Sequence, residues 1–382
     1  MKSALVVSFS TLSRAPRILR QIEWLGERGW TVDGLGLGDV TPEGVQHLYS
    51  AKLQPAIKRY LTYMLKRKRN RYDALFGSSI PKELLHRLGT YDLIVLNELE
   101  FAPELALRRL GTSSKPPMLY IDLHENHIAT AASNIFERLA FQRYWEWQYQ
   151  EFRALTSEYE GRLILTSVEG RIAGLYERDL GRSVQIIRNA PSWSELQPSS
   201  KASGPLRLVH HGMGTRNRGI EQSIRALRKV PNATLDLFLV TGRFYKLKVR
   251  VISRLAGVSA RVTLHDPVPT RLIPKAINEF DLASVIIPPA TENHLHALPN
   301  KFFESIQAGL GVIVGPNPSM ASLVSEGRFG LVLENWSTKS LVAALLSVDR
   351  DQVQAYKQNA FKASRRFSSL EDQDTFNTIL GI

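Results

Sequence analysis

The sequence predicts an α/β protein built from two doubly wound, Rossmann-like domains facing across a cleft. Three observations lead there. Short continuous runs of Val, Ile, Leu and Ala alternate with helix-period segments, as expected for parallel strands buried on both faces and joined by right-handed crossovers. That series breaks once, at Asn189 to Pro205, where Pro, Ser and Gly are dense, and restarts with an apolar run at Leu206. At 382 residues the chain is also longer than one ordinary core. The expected domains are residues 1–195 and 204–365, with the C-terminal helix packing back on the first.

In the first half the runs that read as strands are Ser3–Val7, Thr31–Leu37, Asp92–Asn97, Met118–Asp122, Arg162–Ser167 and Val184–Arg188. In the second they are Leu206–His211, Leu235–Val240, Arg261–Leu264, Leu282–Ile287, Gly311–Val314 and Gly330–Leu333. The first run is short and ends in Ser10, Thr11, Ser13 and Arg14, so it reads as a buried strand rather than a secretion signal.

Composition narrows the function classes. Apolar residues make up 43% and charged residues 22%, as in ordinary soluble domains. No run approaches the ~18 to 20 apolar residues of a membrane span. The absence of cysteine excludes disulfide and thiolate chemistry and fits a cytoplasmic location. A net charge of +13 attracts polyanions: nucleic acid, anionic lipid or diphosphates. No known nucleic-acid motif is present, and basic residues lie beside phosphate-type loops, so nucleic acid is not the expected partner.

The most informative stretch is Leu298 to Gly315. A buried strand precedes it, another ends it, and a helix starting near Pro299 lies between them. Pro suits a first helical position. A helix N-terminus beyond a strand carboxyl end is where open α/β sheets bind ligands, and its free N–H groups attract anions. Lys301 adds a point charge for a phosphate, and Glu304 can accept two hydrogen bonds from a diol such as ribose. Asn300 completes the first turn. A second loop, His210 to Glu221, follows a strand and opens a helix. Gly212 and Gly214 allow backbone to approach a ligand, and Arg216 and Arg218 can reach a diphosphate. The alternative reading is a Gly-rich turn with solvated arginines.

In the first half, Ser13, Arg14, Pro16 and Arg17 follow the first strand, and Pro16 starts a helix. Arg17 and Arg20 read either as functional or as a solvated helix face. Asp122, His124 and Glu125 end another strand, placing an imidazole and carboxylates at its carboxyl end. No further ligand at metal spacing accompanies them, so zinc is not expected. Asn97 to Glu100 ends a further strand without a clear role. Residues 57–71 carry seven basic side chains (Lys58, Arg59, Lys66, Arg67, Lys68, Arg69 and Arg71) among Ile57, Tyr60, Leu61, Met64 and Leu65. This pattern reads either as a membrane-surface helix or as a solvated helix packed by its apolar stripe. Arg243 to Arg254 repeats the mixture with Phe244, Tyr245 and Leu247.

These segments resemble family-4 glycosyltransferases, which have the GT-B fold. Many members read Pro-Asn-Lys-hydrophobic-Phe-Glu and then Ala-Gly-x-Pro-Val-Ile; this chain matches from Pro299 to Val314, with Gly311 where Pro is usual. The resemblance implies that Glu304 binds the nucleotide ribose. The acidic residue common eight positions earlier is His296 here, so Glu292 or backbone amides take its part near the donor sugar. Arg218-Gly219 matches the family's basic-Gly pair; Met213 stands where Arg is frequent, and Arg216 is the expected substitute. Ala15-Pro16-Arg17 keeps two residues of an Asp-Pro-Arg sequence, and the family's Gly-Gly pair is missing. Asp122-x-His124-Glu125 matches a segment whose His lies close to the donor sugar.

The resemblance thus implies a retaining hexosyltransferase that uses a UDP- or GDP-linked sugar, no metal and no further cofactor. His124, Arg216, Arg218 and Lys301 are its expected catalytic residues. Gly212, Gly214, Glu292, His296, Pro299, Asn300 and Glu304 are expected to bind the donor, and Ser13, Arg17 and Glu125 to lie on the acceptor side. A glycan, lipid-linked or small-molecule acceptor is expected, in the cytoplasm or at the inner face of the cell membrane. The alternatives are a GT-B nucleotide-sugar epimerase and a non-catalytic polyanion or nucleotide-sugar binder.

Overall fold

A computed structural model describes residues 1–52, 80–108, 115–124, 135–200 and 203–382, leaving out the side chains of 100, 107–108, 135–144 and 292. The chain forms two compact units, Met1–Ile187 with Thr375–Ile382, and Arg188–Asp374.

In order, the first unit contains β1 (Ser3–Val7), α1 (Pro16–Glu27), β2 (Thr31–Leu37), β3 (Val45–Ala51), α2 (Lys82–Arg87), β4 (Leu93–Leu96), α3 (Ala102–Arg108), β5 (Met118–Leu123), α4 (Ile135–Glu158), β6 (Leu163–Ser167), α5 (Gly170–Leu180) and β7 (Gln185–Ile186). Its seven-stranded sheet has the order β3-β2-β1-β4-β5-β6-β7, with parallel pairing. Alternate residues of β1 and β4 enter different cores: Leu5, Val7, Ile94 and Leu96 pack on one face, Ala4, Val6, Leu93 and Val95 on the other. This two-sided burial is why the strands read as continuous apolar runs. Strand β3 is not among the expected ones. It lies at the sheet edge and carries Gln46, His47 and Ser50, so no apolar run marks it.

The second unit contains β8 (Leu206–Met213), α6 (Ile220–Ala226), β9 (Ala233–Val240), α7 (Arg243–Leu255), β10 (Val262–His265), α8 (Ile273–Ile277), β11 (Leu282–Val285), α9 (Glu292–Leu295), α10 (Asn300–Gln307), β12 (Gly311–Val314), α11 (Pro318–Gly327), β13 (Gly330–Val332), α12 (Thr338–Leu346) and α13 (Arg350–Ser364). Its six-stranded parallel sheet has the order β10-β9-β8-β11-β12-β13. Residues 189–200, read from sequence as linker, pack on this unit: Ser194 N donates to Gln307 Oε1 at 2.9 Å, and Asn278 Nδ2 donates to the Gln197 carbonyl at 2.9 Å. The last helix, α14 (Ser369–Leu380), starts in the second unit and ends in the first. There Phe376 is fully buried, its ring 5.2 Å from Trp24 and 5.4 Å from Tyr120. Among the described residues no helix is long and apolar enough to cross a membrane.

Each sheet reverses its strand order beside its first strand, between β1 and β4 and between β8 and β11. Loops leaving the carboxyl ends of those strands diverge and open a crevice, the usual ligand position in such sheets.

Candidate functional site

The second sheet builds its crevice from two segments. Gly212 (φ 101°) lies near the end of β8, still paired with β9, and after Met213 the loop leads to α6 at Gly219 (φ 74°). A side chain at Gly219 would meet Ile286, at 2.6 Å from its Cβ and 2.8 Å from its carbonyl oxygen, so only glycine lets the loop lie against the end of β11. Gly214 is needed for an internal reason: its Cβ would lie 2.8 Å from Thr241 Cβ. After β11 the chain passes through α9 to α10. Asn317 fixes that passage, donating from Nδ2 to the carbonyls of Ile287 (3.0 Å) and His294 (2.9 Å) while accepting from Trp336 Nε1 (3.1 Å).

Helix α10 starts at Asn300 with Pro299 as its N-cap, one residue later than a Pro in the first helical position would give. No side chain caps it; the Phe302 amide bonds the Pro299 carbonyl at 2.9 Å, and the Asn300 and Lys301 amides have no partner among the described residues. Every residue from Lys301 to Gln307 is buried, with Phe302 and Phe303 packed towards Phe329 and Phe367. Gly309 (φ 64°) ends the helix. Gly311 stands where the resembled family has Pro for a local reason. Its N–H bonds the Asp281 carbonyl at 3.2 Å, and an added Cβ would lie 2.6 Å from Leu282 Cδ2.

The burial of α10 places charges where they are costly. Lys301 is 8% exposed, and its Nζ lies 3.3 Å from His210 Nε2. His210 Nδ1 lies 2.9 Å from the Ser284 carbonyl, which only accepts. The histidine therefore carries its proton on Nδ1 and accepts from Lys301 at Nε2. Burial, then the neighbouring Lys301 charge, holds the His210 pKa well below the ordinary value. Burial and the approach of Arg218 bring Lys301 down to about 7, against a smaller opposing effect of Glu304. Burial lowers Arg218 as well, and among the described residues it has no acidic partner. One turn along α10, Glu304 accepts from His211 Nε2 at 2.9 Å, leaving its other oxygen for a further donor. The site holds two crowded cations, one carboxylate oriented by a histidine, and uncapped helix amides. It suits an anion carrying hydroxyl groups.

Other expected residues are distributed unevenly. Arg216 is exposed on the loop before α6, and Asn300 is half-buried at the start of α10. His296 is half-buried, and its Nδ1 has no partner among the described residues. Glu292 lies in α9, with its side chain outside the described residues. His210 and His211 were not singled out from sequence; two consecutive His at a strand end, before a Gly-rich turn, were the available signal.

In the first unit, Ser13 is half-buried in the turn before α1. Arg17 is not a solvated helix residue. It is 8% exposed and forks onto the Asp122 carboxylate through Nε and Nη2, with Nη1 on the Ile187 carbonyl at 2.8 Å. Arg20 is likewise buried rather than solvated. Asp122 is 1% exposed and internally neutralised. His124 follows β5, half-buried, with Nδ1 unpartnered among the described residues. Glu125 and residues 57–71 lie outside the described residues. Glu98, whose role the sequence leaves open, ties the β1 and β4 loops together: it accepts from Ser8 Oγ at 2.7 Å and from the Phe9 N–H at 3.2 Å. Among the described residues no cluster of His, Cys, Asp or Glu could hold a metal ion.

Comparison with known proteins places this site in context. Residues 205–351, which span the crevice of the second unit, match the family model of glycosyl transferases group 1. No curated protein sequence matches the chain. Among solved structures, sucrose-phosphate synthase from Thermosynechococcus elongatus is similar over 100% of this chain and 98% of its own, at 15% identity and a TM-score of 0.71. Anabaena HepE in complex with UDP and glucose is similar over 100% of both chains, at 15% identity and a TM-score of 0.70. WaaG, a glycosyltransferase involved in lipopolysaccharide biosynthesis, covers 99% of each chain at 14% identity and a TM-score of 0.59. The chain has the GT-B fold, and its match to a glycosyl transferase model lies in the second unit.

Proposed function

We propose that the protein is a retaining glycosyltransferase of the family-4 type, moving a hexose from a nucleotide-diphosphate sugar to a glycan or lipid-linked acceptor. The observation that carries this reading is the buried Lys301 beside neutral His210 and Arg218, which has no acidic partner among the described residues, one helical turn from the His211–Glu304 pair. A diphosphate relieves the crowding of the two cations, and the free Glu304 oxygen accepts from a ribose hydroxyl. HepE is solved with UDP and glucose, which favours a UDP-linked donor over a GDP-linked one.

In this reading, charge develops on the departing diphosphate as the glycosidic bond breaks. Lys301, Arg218, Arg216 and the α10 amides stabilise it more in the transition state than in the ground state. The departing phosphate oxygen takes the acceptor proton, so no protein base is assigned, and no metal or further cofactor is included.

The test is thermal shift against UDP, GDP, ADP, TDP and their sugars without added metal. Stabilisation by one nucleotide family supports the reading and identifies the base; silence from all of them overturns it. Proton NMR of the product then reads the anomeric configuration, and inversion would exclude the retaining assignment.

A further inference from the structure

We propose that the solvent-facing side of α7 docks the second unit on an anionic membrane surface. One side of this helix is ordinary: Tyr245, Val249 and Ile252 pack with the core of the unit. The other is not. Phe244 is 75% exposed, Leu247 57%, Val251 47% and Leu255 80%. At about 100° per residue these four fall within a stripe roughly 80° wide, and Arg243, Arg250 and Arg254 fall within about 40° beside it. All three arginines are exposed, and the helix contains no acidic residue. Phe244 and Arg243 pack together at 5.0 Å. Val240 and Met213, paired at the ends of β9 and β8, are exposed as well.

A solvated helix would carry polar residues at these positions. An apolar stripe flanked by cations is the pattern of a helix lying in the lipid headgroup region. The acids nearby do not cancel it: Glu221 is already engaged by Lys248 (2.5 Å) and Tyr245 (3.0 Å), and Asp266 faces Lys246 at 3.4 Å. A second copy of the chain is a poorer occupant. Symmetric pairing would bring arginine rows together, and four side chains fall short of the ~1,000 Å² a specific interface needs. Anionic lipid supplies a charge-complementary surface. The position also has a use. The Tyr245 hydroxyl shares its one proton between Glu221 Oε1 and the Thr215 carbonyl, each 3.0 Å away, so the docked helix is tied to the loop between β8 and α6. This proposal goes beyond the donor reading and does not depend on it.

The experiment is vesicle flotation of the full chain, using phosphatidylcholine alone and phosphatidylcholine mixed with phosphatidylglycerol. Two variants are compared with the wild type: Phe244→Ser/Leu247→Ser/Val251→Ser and Arg243→Glu/Arg250→Glu/Arg254→Glu. The wild type is expected to bind the anionic vesicles and not the neutral ones. Each variant is expected to lower the bound fraction at least tenfold, with thermal midpoint and nucleotide affinity unchanged. The proposal is overturned if the wild type binds neither vesicle or both equally, if the variants bind like the wild type, or if the wild type proves a dimer that the variants dissolve. Loss of nucleotide binding by all three proteins would count against the donor reading alone.

Discussion

Both sheets bury a cation at their carboxyl ends, but they treat it differently. In the first unit Arg17 is held in a fork by Asp122, with charge and hydrogen bonds both answered inside the protein. In the second, Lys301 meets a neutral histidine and a neighbouring arginine, and its proton is held so weakly that the pKa falls to about 7. The first arrangement is structural: burial is offset by a partner, and nothing is left for a ligand. In the proposed reading the second is completed by a diphosphate. Similar fold and similar residue types thus give a brace in one unit and, in the proposed reading, a receptor in the other.

Removing Asp122 should have the largest effect on stability. In Asp122→Ala, Arg17 stays buried but loses the Asp122 carboxylate, which costs ~3–5 kcal/mol. Chemical denaturation should show the first unit melting early, while nucleotide affinity in the second stays unchanged. A cost below ~1 kcal/mol would mean that the fork is not a brace.

Lys301→Met should act in the opposite sense. Loss of a charge-assisted contact should weaken nucleotide-diphosphate binding ~100-fold by calorimetry. The ligand-free protein should become more stable by ~2 kcal/mol near pH 6, because a buried ammonium has been removed. The sign follows from linkage. Folding lowers the Lys301 pKa from the lysine model value of 10.5 to about 7, so between these values the unfolded chain binds more protons. Ligand-free wild type should therefore gain stability as pH rises from 7 towards 10, and the variant should lack that slope. A variant less stable than wild type would place Lys301 among the structural residues with Arg17.

The smallest effect is expected from His211→Ala. Losing the bond that orients Glu304 should cost ~1 kcal/mol of nucleoside-diphosphate affinity. Pyrophosphate, which has no ribose, should bind both proteins equally. Equal losses for the two ligands would contradict the ribose role of Glu304.

Much of this was legible in the sequence because fully buried parallel strands announce themselves as apolar runs. β1, β2 and β12 lie where they were read, and most other strand ends differ by one or two residues. β3 escaped because an edge strand need not be apolar. The α10 segment was legible because Pro299, Lys301 and Glu304 sit within one local motif. The solvated-face reading of Arg17 failed because its partner Asp122 lies 105 residues away, and spacing says nothing about such pairs. For the same reason His210 and His211, whose partners lie 91 and 93 residues on, were passed over. Gly311 looked like a departure from a pattern; its reason lies in Leu282 and the Asp281 carbonyl, which only the folded sheet brings together.

The central claim is that the second unit holds a cation short of its proton until a diphosphate arrives. The most direct measurement is calorimetry of the nucleotide diphosphate selected by thermal shift, at pH 8 in two buffers of different ionisation enthalpy. At that pH a phosphate with its second pKa near ~6 is fully ionised, so proton uptake reports on the protein. The account predicts uptake of about one proton by the wild type and none by Lys301→Met. Binding without proton uptake, or with equal uptake by both proteins, would contradict it.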